Sequence, residues 1–187
     1  MTGPGAARPD GPARYRLMTV CTGNICRSPM AEVVLRRRLA VAGLGDVVEV
    51  TSTGISDEEH GNRIDRRAQA VLREHGYDVP RRAARQVRAT DLTANDLVLA
   101  MTSVHARALR RLARTPDVAN RVVMYRSFDP SAPAVEPGTG EHVLDIDDPW
   151  YGGADDFRVC LAQVEAAADL IVGHVRTALT ERGTVPA

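Results

Sequence analysis

The sequence predicts a single α/β domain in which a central, mainly parallel sheet of about four strands carries helices on both faces. Short apolar, β-branched segments alternate with longer segments whose apolar residues recur every three or four positions. Strands that alternate with helices form parallel sheets through right-handed crossovers. The chain has 187 residues, 44% of them hydrophobic, which suits one globular domain with a substantial core.

The first elements follow a short N-terminal extension. Residues 1–14 are rich in Gly, Ala, Pro and Arg and have little to bury, so we expect a disordered tail before a folded domain over residues 15–187. Leu17–Val20 predicts the first strand. Ser28 and Pro29 indicate the start of the first helix, as N-cap and first helical residue, and this helix is expected to end near Val41.

The middle of the chain predicts one further strand and one further helix. Asp46–Thr53 alternates apolar and polar residues, as a half-buried strand does. Asp65 is a suitable N-cap for a helix over Arg66–His75, and Gly76 would end it. Residues 81–88 are strongly basic, and we interpret them as a solvated loop.

The second half repeats the alternation of helix and strand. A short helical turn over Thr90–Asn95 precedes Asp96–Met101, a compact apolar run that suits a buried parallel strand. Ser103 is predicted to cap the next helix, and Arg121–Tyr125 is the last predicted strand. Residues 127–147 form a long loop rich in Pro, Gly and acidic residues, of a kind that often carries function.

The final helix, predicted over Ala154–Leu179, has the longest periodic pattern in the chain. Its apolar residues recur every three or four positions, which is typical of a helix packed on a core. Cys160 belongs to this stripe and is predicted to be a core residue. The other members are Phe157, Leu161, Val164, Ala168, Ile171, Val175 and Leu179.

The composition limits the classes of partner. Lys and Arg together number 24, as do Asp and Glu, so the formal net charge is zero and no nucleic-acid or membrane partner is indicated. The sequence shows neither a transmembrane run nor an apolar signal core. Three cysteines without a regular framework favour a reducing, cytoplasmic setting. The oligomeric state stays open.

One stretch, Val20–Pro29, carries most of the predicted chemistry. It reads VCTGNICRSP and connects the first strand to the first helix. Such a connection points backbone N–H groups into one concavity beside the positive end of a helix dipole, which suits phosphate. Gly23 and Asn24 are expected to take the positive φ that turns these amides inward. The phosphate-binding residues of this anion loop, residues 21–28, are predicted to be Thr22, Gly23, Asn24, Ile25, Cys26, Arg27 and Ser28.

Cys21 and Arg27 turn the anion loop into a reactive site. The thiolate is the nucleophilic form of cysteine, and a helix N-terminus and a nearby cation favour it. The Arg27 guanidinium offers a planar fork of donors that fits two phosphate oxygens, and the Ser28 hydroxyl can donate to the sulfur. Together these groups predict thiolate attack on a phosphate monoester.

Cys26 has several possible roles. A zinc site with Cys21 lacks partners, because Cys160 falls far away in the last helix. Since Cys21 and Cys26 lie in one curled loop, mild oxidation could join them in a reversible disulfide. The alternative is that Cys26 only packs.

At these residues the chain resembles the low-molecular-weight protein tyrosine phosphatases. Val20–Glu32, VCTGNICRSPMAE, is similar to the phosphate loop of that family, and Asp148–Tyr151, DPWY, is similar to its Asp-Pro-aromatic-aromatic loop. The resemblance covers about residues 15–180. It implies that residues 15–187 form a catalytic domain that hydrolyses phosphotyrosine in proteins, and aryl phosphates, without metal or cofactor.

The resemblance also implies roles for individual residues. Cys21 would be the nucleophile that forms a cysteinyl phosphate, Arg27 the phosphate binder and Asp148 the general acid. Ser52 would support Asn24. Asp145 and Asp147 precede the same Pro149, so the choice of Asp148 depends on its position in the motif. The list of expected cleft residues is Glu58, Trp150 and Tyr151.

Two positions depart from the pattern of the family. Glu58 falls where the family usually offers an aromatic wall to the cleft, and Thr102 falls where it commonly has Asp. Two other functions remain as alternatives. One is a thiol-linked arsenate reductase of the same fold, which needs relay cysteines that residues 27–159 lack. The other is a non-catalytic phosphate-binding module.

Overall fold

A computed structural model of the chain describes residues 14–136 and 140–186. Apart from Arg14, the tail predicted over residues 1–14 lies outside the described residues. The strands are β1 (Tyr15–Cys21), β2 (Val48–Gly54), β3 (Leu97–Ala100) and β4 (Val122–Met124). The helices are α1 (Arg27–Val41), α2 (Arg66–Glu74), α3 (Ala89–Ala94), α4 (Ser103–Leu112), α5 (Pro116–Ala119) and α6 (Ala154–Glu181). Short 3₁₀ segments occupy Tyr125–Phe128, Glu141–Leu144 and Pro149–Tyr151.

The strands form one parallel sheet in the order β2-β1-β3-β4. Because β1 lies in the interior, it pairs with β2 on one side and with β3 on the other, and Cys21 is opposite Gly54 at its carboxyl end. Parallel sheets bind ligands at the carboxyl ends of their strands. The loop that follows β1 therefore lies where a site is expected.

Side chains of β1 alternate between two cores, as they must in a strand. Leu17 and Cys21 belong to the core that β1 shares with α1, α2 and α6. Met18 and Val20 belong to the core formed with α3, α4 and α5. Helices thus cover both faces of the four-stranded sheet, and the predicted fold class is confirmed.

α1 begins earlier than predicted. Cys26 is its N-cap and Arg27 its first residue, whereas we expected Ser28 to cap the helix and Pro29 to open it. The Ser28 hydroxyl does not cap because it lies within hydrogen-bond distance of the Cys21 sulfur and of the Thr53 carbonyl. Pro29 is still compatible, since a helix leaves its first N–H groups unpaired.

Two other helix starts differ from expectation. The N-cap of α4 is Thr102, not Ser103, and the amide of Ser103 instead donates to Asp145 at 2.6 Å. α5 was not predicted, although Thr115 caps it and Pro116 is its first residue, which is a recognisable start signal.

α6 is the longest helix of the described chain, with 28 residues over Ala154–Glu181. The residues predicted to form its apolar stripe are all buried, as is Cys160. The helix packs along α1 and closes the core on that face of the sheet. No helix within residues 14–136 and 140–186 has the length and apolar character needed to cross a bilayer.

Candidate active site

A cavity of about 130 Å³ opens at the carboxyl end of β1. Three separate parts of the chain line it. The anion loop contributes Cys21, Thr22, Gly23, Ile25, Cys26 and Arg27. Glu58 and Glu59 come from the loop after β2, and Asp148, Trp150 and Tyr151 come from the segment that precedes α6. The structure thus brings the predicted nucleophile, cation, acid and cleft residues together.

Cys21 ends β1 with its side chain almost fully enclosed. Its sulfur lies 3.0 Å from the Ser28 hydroxyl oxygen. The same oxygen accepts a hydrogen bond from the Asn24 side-chain amide at 2.9 Å and lies 3.2 Å from the Thr53 carbonyl. The single Ser28 proton can therefore be given either to the sulfur or to Thr53. When the sulfur is a thiolate, Ser28 can donate to it.

The Asn24 side chain lies behind the anion loop and not in the cavity. Its Nδ2 donates to Ser28 and Ser52, each at 2.9 Å, and Ser52 in turn donates to Glu32 at 2.6 Å. Asn24 and Ser28 are fully buried and absent from the cavity lining, so only their backbone N–H groups remain as candidates to bind phosphate, and that part of the site stays a prediction. Both side chains instead hold the loop in shape, and Ser52 contacts Asn24 as the resemblance implies.

The two positions expected to have positive φ differ. Asn24 has φ 63°, as predicted, but Gly23 is not among the described residues with positive φ. A Cβ at Gly23 would lie 2.8 Å from Cγ of Glu59, so Glu59 packs across this glycine. Gly54 has a stricter role, because a Cβ there would lie 2.3 Å from the carbonyl oxygen of Thr22. A glycine at the end of a strand is a sequence signal of such close backbone approach.

Arg27 is the cation of the cavity and is 4% exposed. Its Nη1 donates to the Ile146 carbonyl at 3.0 Å. Its Nη2 donates to the Thr22 hydroxyl at 3.2 Å and to Asp148 at 2.5 Å. Nε is buried and has no hydrogen-bond partner among the described residues. An unpaired donor on a buried cation is costly, and an anion in the loop would satisfy it.

The three aspartates of the long loop have different positions. Asp145 accepts the first backbone amide of α4, that of Ser103. Asp147 is exposed and does not line the cavity. Asp148 faces Arg27 and also accepts the Trp150 amide at 3.2 Å. The geometry therefore favours Asp148 as the acid.

Arg67, at the start of α2, contacts the segment that carries Asp148. Its Nη1 donates to the carbonyls of Trp150 at 3.0 Å and Gly152 at 2.8 Å, and its guanidinium lies 5.5 Å from the centroid of the Trp150 ring. A cation over an aromatic face is attracted to it. The sequence does not predict this contact of Arg67, because its position in the helical pattern is like that of the other helical arginines.

Arg82 overturns the interpretation of residues 81–88 as a solvated loop. Its side chain is only 15% exposed and pairs with Glu32 at 3.5 Å. Nη1 donates to the Asn24 carbonyl at 3.1 Å, and Nη2 donates to the Asn24 side chain at 2.5 Å. Burial lowers the pKa of Arg82 from its usual value, while Glu32 opposes that shift. Nothing in the sequence distinguishes Arg82 from its exposed neighbour Arg81.

We expect Arg82→Ala to lower kcat/KM on aryl phosphates by roughly 10- to 100-fold, since one or two charged hydrogen bonds to Asn24 are lost. The free energy of unfolding should also fall by about 1–3 kcal/mol, because the buried Glu32 loses a partner. Arg81→Ala is the matched control, and it should leave both quantities unchanged. Steady-state kinetics and urea denaturation measure them. Equal effects of the two substitutions would contradict a role for Arg82 in holding the loop.

His105, on α4, is a second residue that sequence reasoning missed. It is buried, and its Nε2 lies 3.0 Å from the Thr22 hydroxyl. Burial, and then the charge of Arg27, lower the pKa of His105 to about 3. The ring is therefore neutral at physiological pH. A lone histidine in a helical pattern does not indicate that its side chain contacts the anion loop.

The other two cysteines are poor nucleophiles. Burial raises the pKa of the Cys26 thiol far above its usual value, with a smaller contribution from Asp65. Burial raises the pKa of Cys160 to about 12. Cys160 is thus a core residue, as predicted, yet it lies within electrostatic range of the anion loop and is not remote from it. All three cysteines are free thiols, so a Cys21–Cys26 disulfide stays a prediction.

The fold and the site define a class of protein. It is a parallel α/β domain whose first strand leads into a phosphate-binding loop that contains both a cysteine and an arginine. A family model described as low molecular weight phosphotyrosine protein phosphatase matches residues 16–181. The chain therefore belongs to the low-molecular-weight protein-tyrosine phosphatase family, which confirms the resemblance seen in its sequence. As a member it is a phosphoric monoester hydrolase, whose substrates are phosphotyrosine-containing proteins.

Individual relatives agree with this assignment. The low molecular weight protein-tyrosine-phosphatase of Streptomyces coelicolor is 48% identical over 87% of this chain and 94% of its own length. The low molecular weight protein-tyrosine phosphatase A of Mycobacterium tuberculosis is 48% identical over 79% of this chain and 83% of its own. The crystal structure of YfkJ from Bacillus subtilis superposes with a TM-score of 0.78 at 25% identity, covering 89% of this chain and 97% of that one.

Proposed function

We propose that the cavity hydrolyses phosphotyrosine in two steps. In the first, the Cys21 thiolate attacks phosphorus in line with the aryl oxygen, so an S–P bond forms and the P–O bond to the phenol breaks. Protonated Asp148 gives its proton to the leaving phenolate. In the second step Asp148 takes a proton from water, the water oxygen attacks phosphorus, and Cys21 leaves as the thiolate. The product is inorganic phosphate.

The position of Arg27 is the observation that best supports this mechanism. One buried guanidinium reaches both the anion loop and the acid, through Thr22 and Asp148, and its Nε still lacks an acceptor among the described residues. A phosphoryl group in the loop would accept from Nε and from the Nη2 hydrogen that Asp148 now occupies, and would thereby displace the Asp148 carboxylate. The negative charge of the substrate then favours the protonated carboxyl that the first step requires.

The mechanism can be tested on wild-type protein. Turnover of a phosphotyrosine peptide should be compared with turnover of the same peptide carrying phosphoserine, because phosphoserine lacks the aromatic ring that Trp150 and Tyr151 are proposed to flank. We expect hydrolysis of the first peptide alone. Absence of turnover would favour a phosphate-binding module. Reduction of arsenate in the presence of a thiol relay would favour the reductase, although the buried Cys160, with its raised pKa, is poorly suited to relay electrons.

We also propose that the enzyme works in the cytoplasm, without a nucleic-acid or membrane partner. The nucleophile must stay reduced, and all three cysteines are free thiols. The balance of 24 basic and 24 acidic residues agrees with protein substrates and not with a polyanionic partner. The roles of Trp150 and Tyr151 as flanks of the substrate ring belong to the same proposal, and both line the cavity.

Glu58 gives a prediction about substrate preference. It lines the cavity beside Glu59, so two carboxylates border a site for an anion. We expect wild-type enzyme to prefer peptides with basic neighbours, and raised salt should weaken this preference because exposed charges are screened. Glu58→Trp should lower KM for aryl phosphates roughly 2- to 10-fold through ring stacking, with kcat little changed.

The control for this substitution is Asp57→Trp, at an exposed position outside the cavity lining. It should leave KM and peptide preference as in the wild type. If Glu58→Trp also leaves KM and peptide preference unchanged, Glu58 does not contact the substrate.

A further inference from the structure

The Thr22 hydroxyl lies between two nitrogen donors. Its oxygen is 3.2 Å from Nη2 of Arg27 and 3.0 Å from Nε2 of His105. A guanidinium can only donate hydrogen bonds, so Arg27 occupies one lone pair of the Thr22 oxygen. The partner to which the Thr22 hydroxyl donates its proton depends on which nitrogen of the His105 ring carries a hydrogen.

The surroundings of His105 favour a hydrogen on Nε2. The ring is 3% exposed and lies near the Arg27 charge, which disfavours the doubly protonated form. Its Nδ1 is buried and has no hydrogen-bond partner within the described ranges. Buried N–H groups without an acceptor are rarer in proteins than buried acceptors without a donor. Nδ1 therefore carries the bare lone pair, and Nε2–H donates to Thr22.

With both lone pairs of its oxygen in use, Thr22 must direct its own proton to a third partner. Thr22 lines the cavity together with Cys21 and Arg27. We propose that the Thr22 hydroxyl is a further donor to the phosphoryl group, and that His105 is a positioning residue that aims its proton into the cavity. This inference rests on the proposed function, since it assigns a role within the same site.

The arrangement suits phosphoryl transfer for a physical reason. Negative charge is spread over the equatorial phosphoryl oxygens in the transition state, and donors fixed in advance stabilise it most effectively. A free hydroxyl must be oriented when substrate binds, whereas Thr22 is oriented by Arg27 and His105 beforehand. When substrate displaces Asp148 from Arg27, the contact between Arg27 and Thr22 can persist.

Binding of inorganic phosphate to the full chain, followed by calorimetry, tests the proposal without any turnover. Thr22→Val keeps the shape of the side chain and removes the hydroxyl, so phosphate affinity should fall roughly 10- to 100-fold. Thr22→Ser restores a hydroxyl and should bind phosphate nearly as the wild type does. If Thr22→Val binds phosphate as tightly as the wild type, the proposal is overturned.

His105 is tested through its dependence on Thr22. His105→Leu should weaken phosphate binding in the wild-type background and have no further effect in the Thr22→Val background, because it acts only through the hydroxyl. An equal loss in both backgrounds would mean a merely structural role and would overturn the proposal. Should His105→Leu fail to fold, ¹H–¹⁵N NMR of the wild-type imidazole decides. A ring proton on Nε2 supports the proposal, and one on Nδ1 contradicts it.

These outcomes are separate from the proposed function. A wild-type protein that binds phosphate through Thr22 but does not hydrolyse phosphotyrosine would retain the inference and refute the mechanism. An active enzyme whose phosphate affinity does not change in Thr22→Val would refute the inference alone.

Discussion

Cys21→Ser should reduce the hydrolysis of aryl phosphates to background, a loss of roughly 10⁴-fold or more, while inorganic phosphate still binds. The sulfur lies at the carboxyl end of β1, 3.0 Å from the hydroxyl of Ser28. A serine hydroxyl of similar size keeps the loop in shape but stays un-ionised near neutral pH. No thiolate is then available to attack phosphorus, whereas Arg27 and the loop amides can still hold the anion.

The matched control is Cys160→Ala, which removes a thiol that lies in the core and outside the cavity lining. Its turnover should equal that of the wild type. Rates are measured under saturating aryl phosphate, and phosphate binding by calorimetry shows that each variant is folded. Turnover retained in Cys21→Ser, with normal phosphate binding, would refute the nucleophile assignment.

Asp148→Asn should lower kcat by about 10²–10⁴ for phenols of high pKa, which is the usual contribution of a general acid. The loss should shrink for phenols that leave readily, because these need little protonation. The carboxylate also bonds to Nη2 of Arg27, where it competes with phosphate. Removing its charge should therefore let the variant bind inorganic phosphate more tightly while it turns over more slowly.

Asp147→Asn is the control for this substitution, since the neighbouring side chain is exposed and outside the cavity lining. It should change neither kcat nor phosphate affinity. A series of aryl phosphates with different leaving groups gives the slope that reports protonation. If Asp147→Asn steepens this slope and Asp148→Asn does not, the acid has been assigned to the wrong residue.

The anion loop could be predicted because its chemistry is local. Cys21 and Arg27 lie within seven consecutive residues, between a strand and a helix, so their proximity follows from the strand–loop–helix arrangement. The positive φ of Asn24 also follows from residue type alone. Asp148 required the resemblance to a family, because sequence spacing cannot decide which of three aspartates faces a cation more than 100 residues away.

Residues that support the loop from other elements could not be predicted. Arg82 is one of several arginines in a basic run, and only the tertiary structure turns it toward Asn24. His105 reaches Thr22 across 83 residues of sequence. The caps of α1 and α4 were misassigned for a related reason, since a hydroxyl that fits the local pattern of an N-cap can be engaged elsewhere. Tertiary contacts decide which residue caps a helix in such cases, and these contacts cannot be inferred from a single sequence.

The separation of the acid from the anion loop has a consequence for synthesis of the chain. Arg27 and Asp148 are 121 residues apart, and at roughly 5–20 residues per second a ribosome needs about 6–24 s to add that length. Throughout this interval the growing chain carries Cys21 without its acid. The core on one face of the sheet is also incomplete until α6 has been made. We therefore expect a nascent chain to remain inactive until both Asp148 and α6 have left the ribosome and packed against the earlier part of the domain.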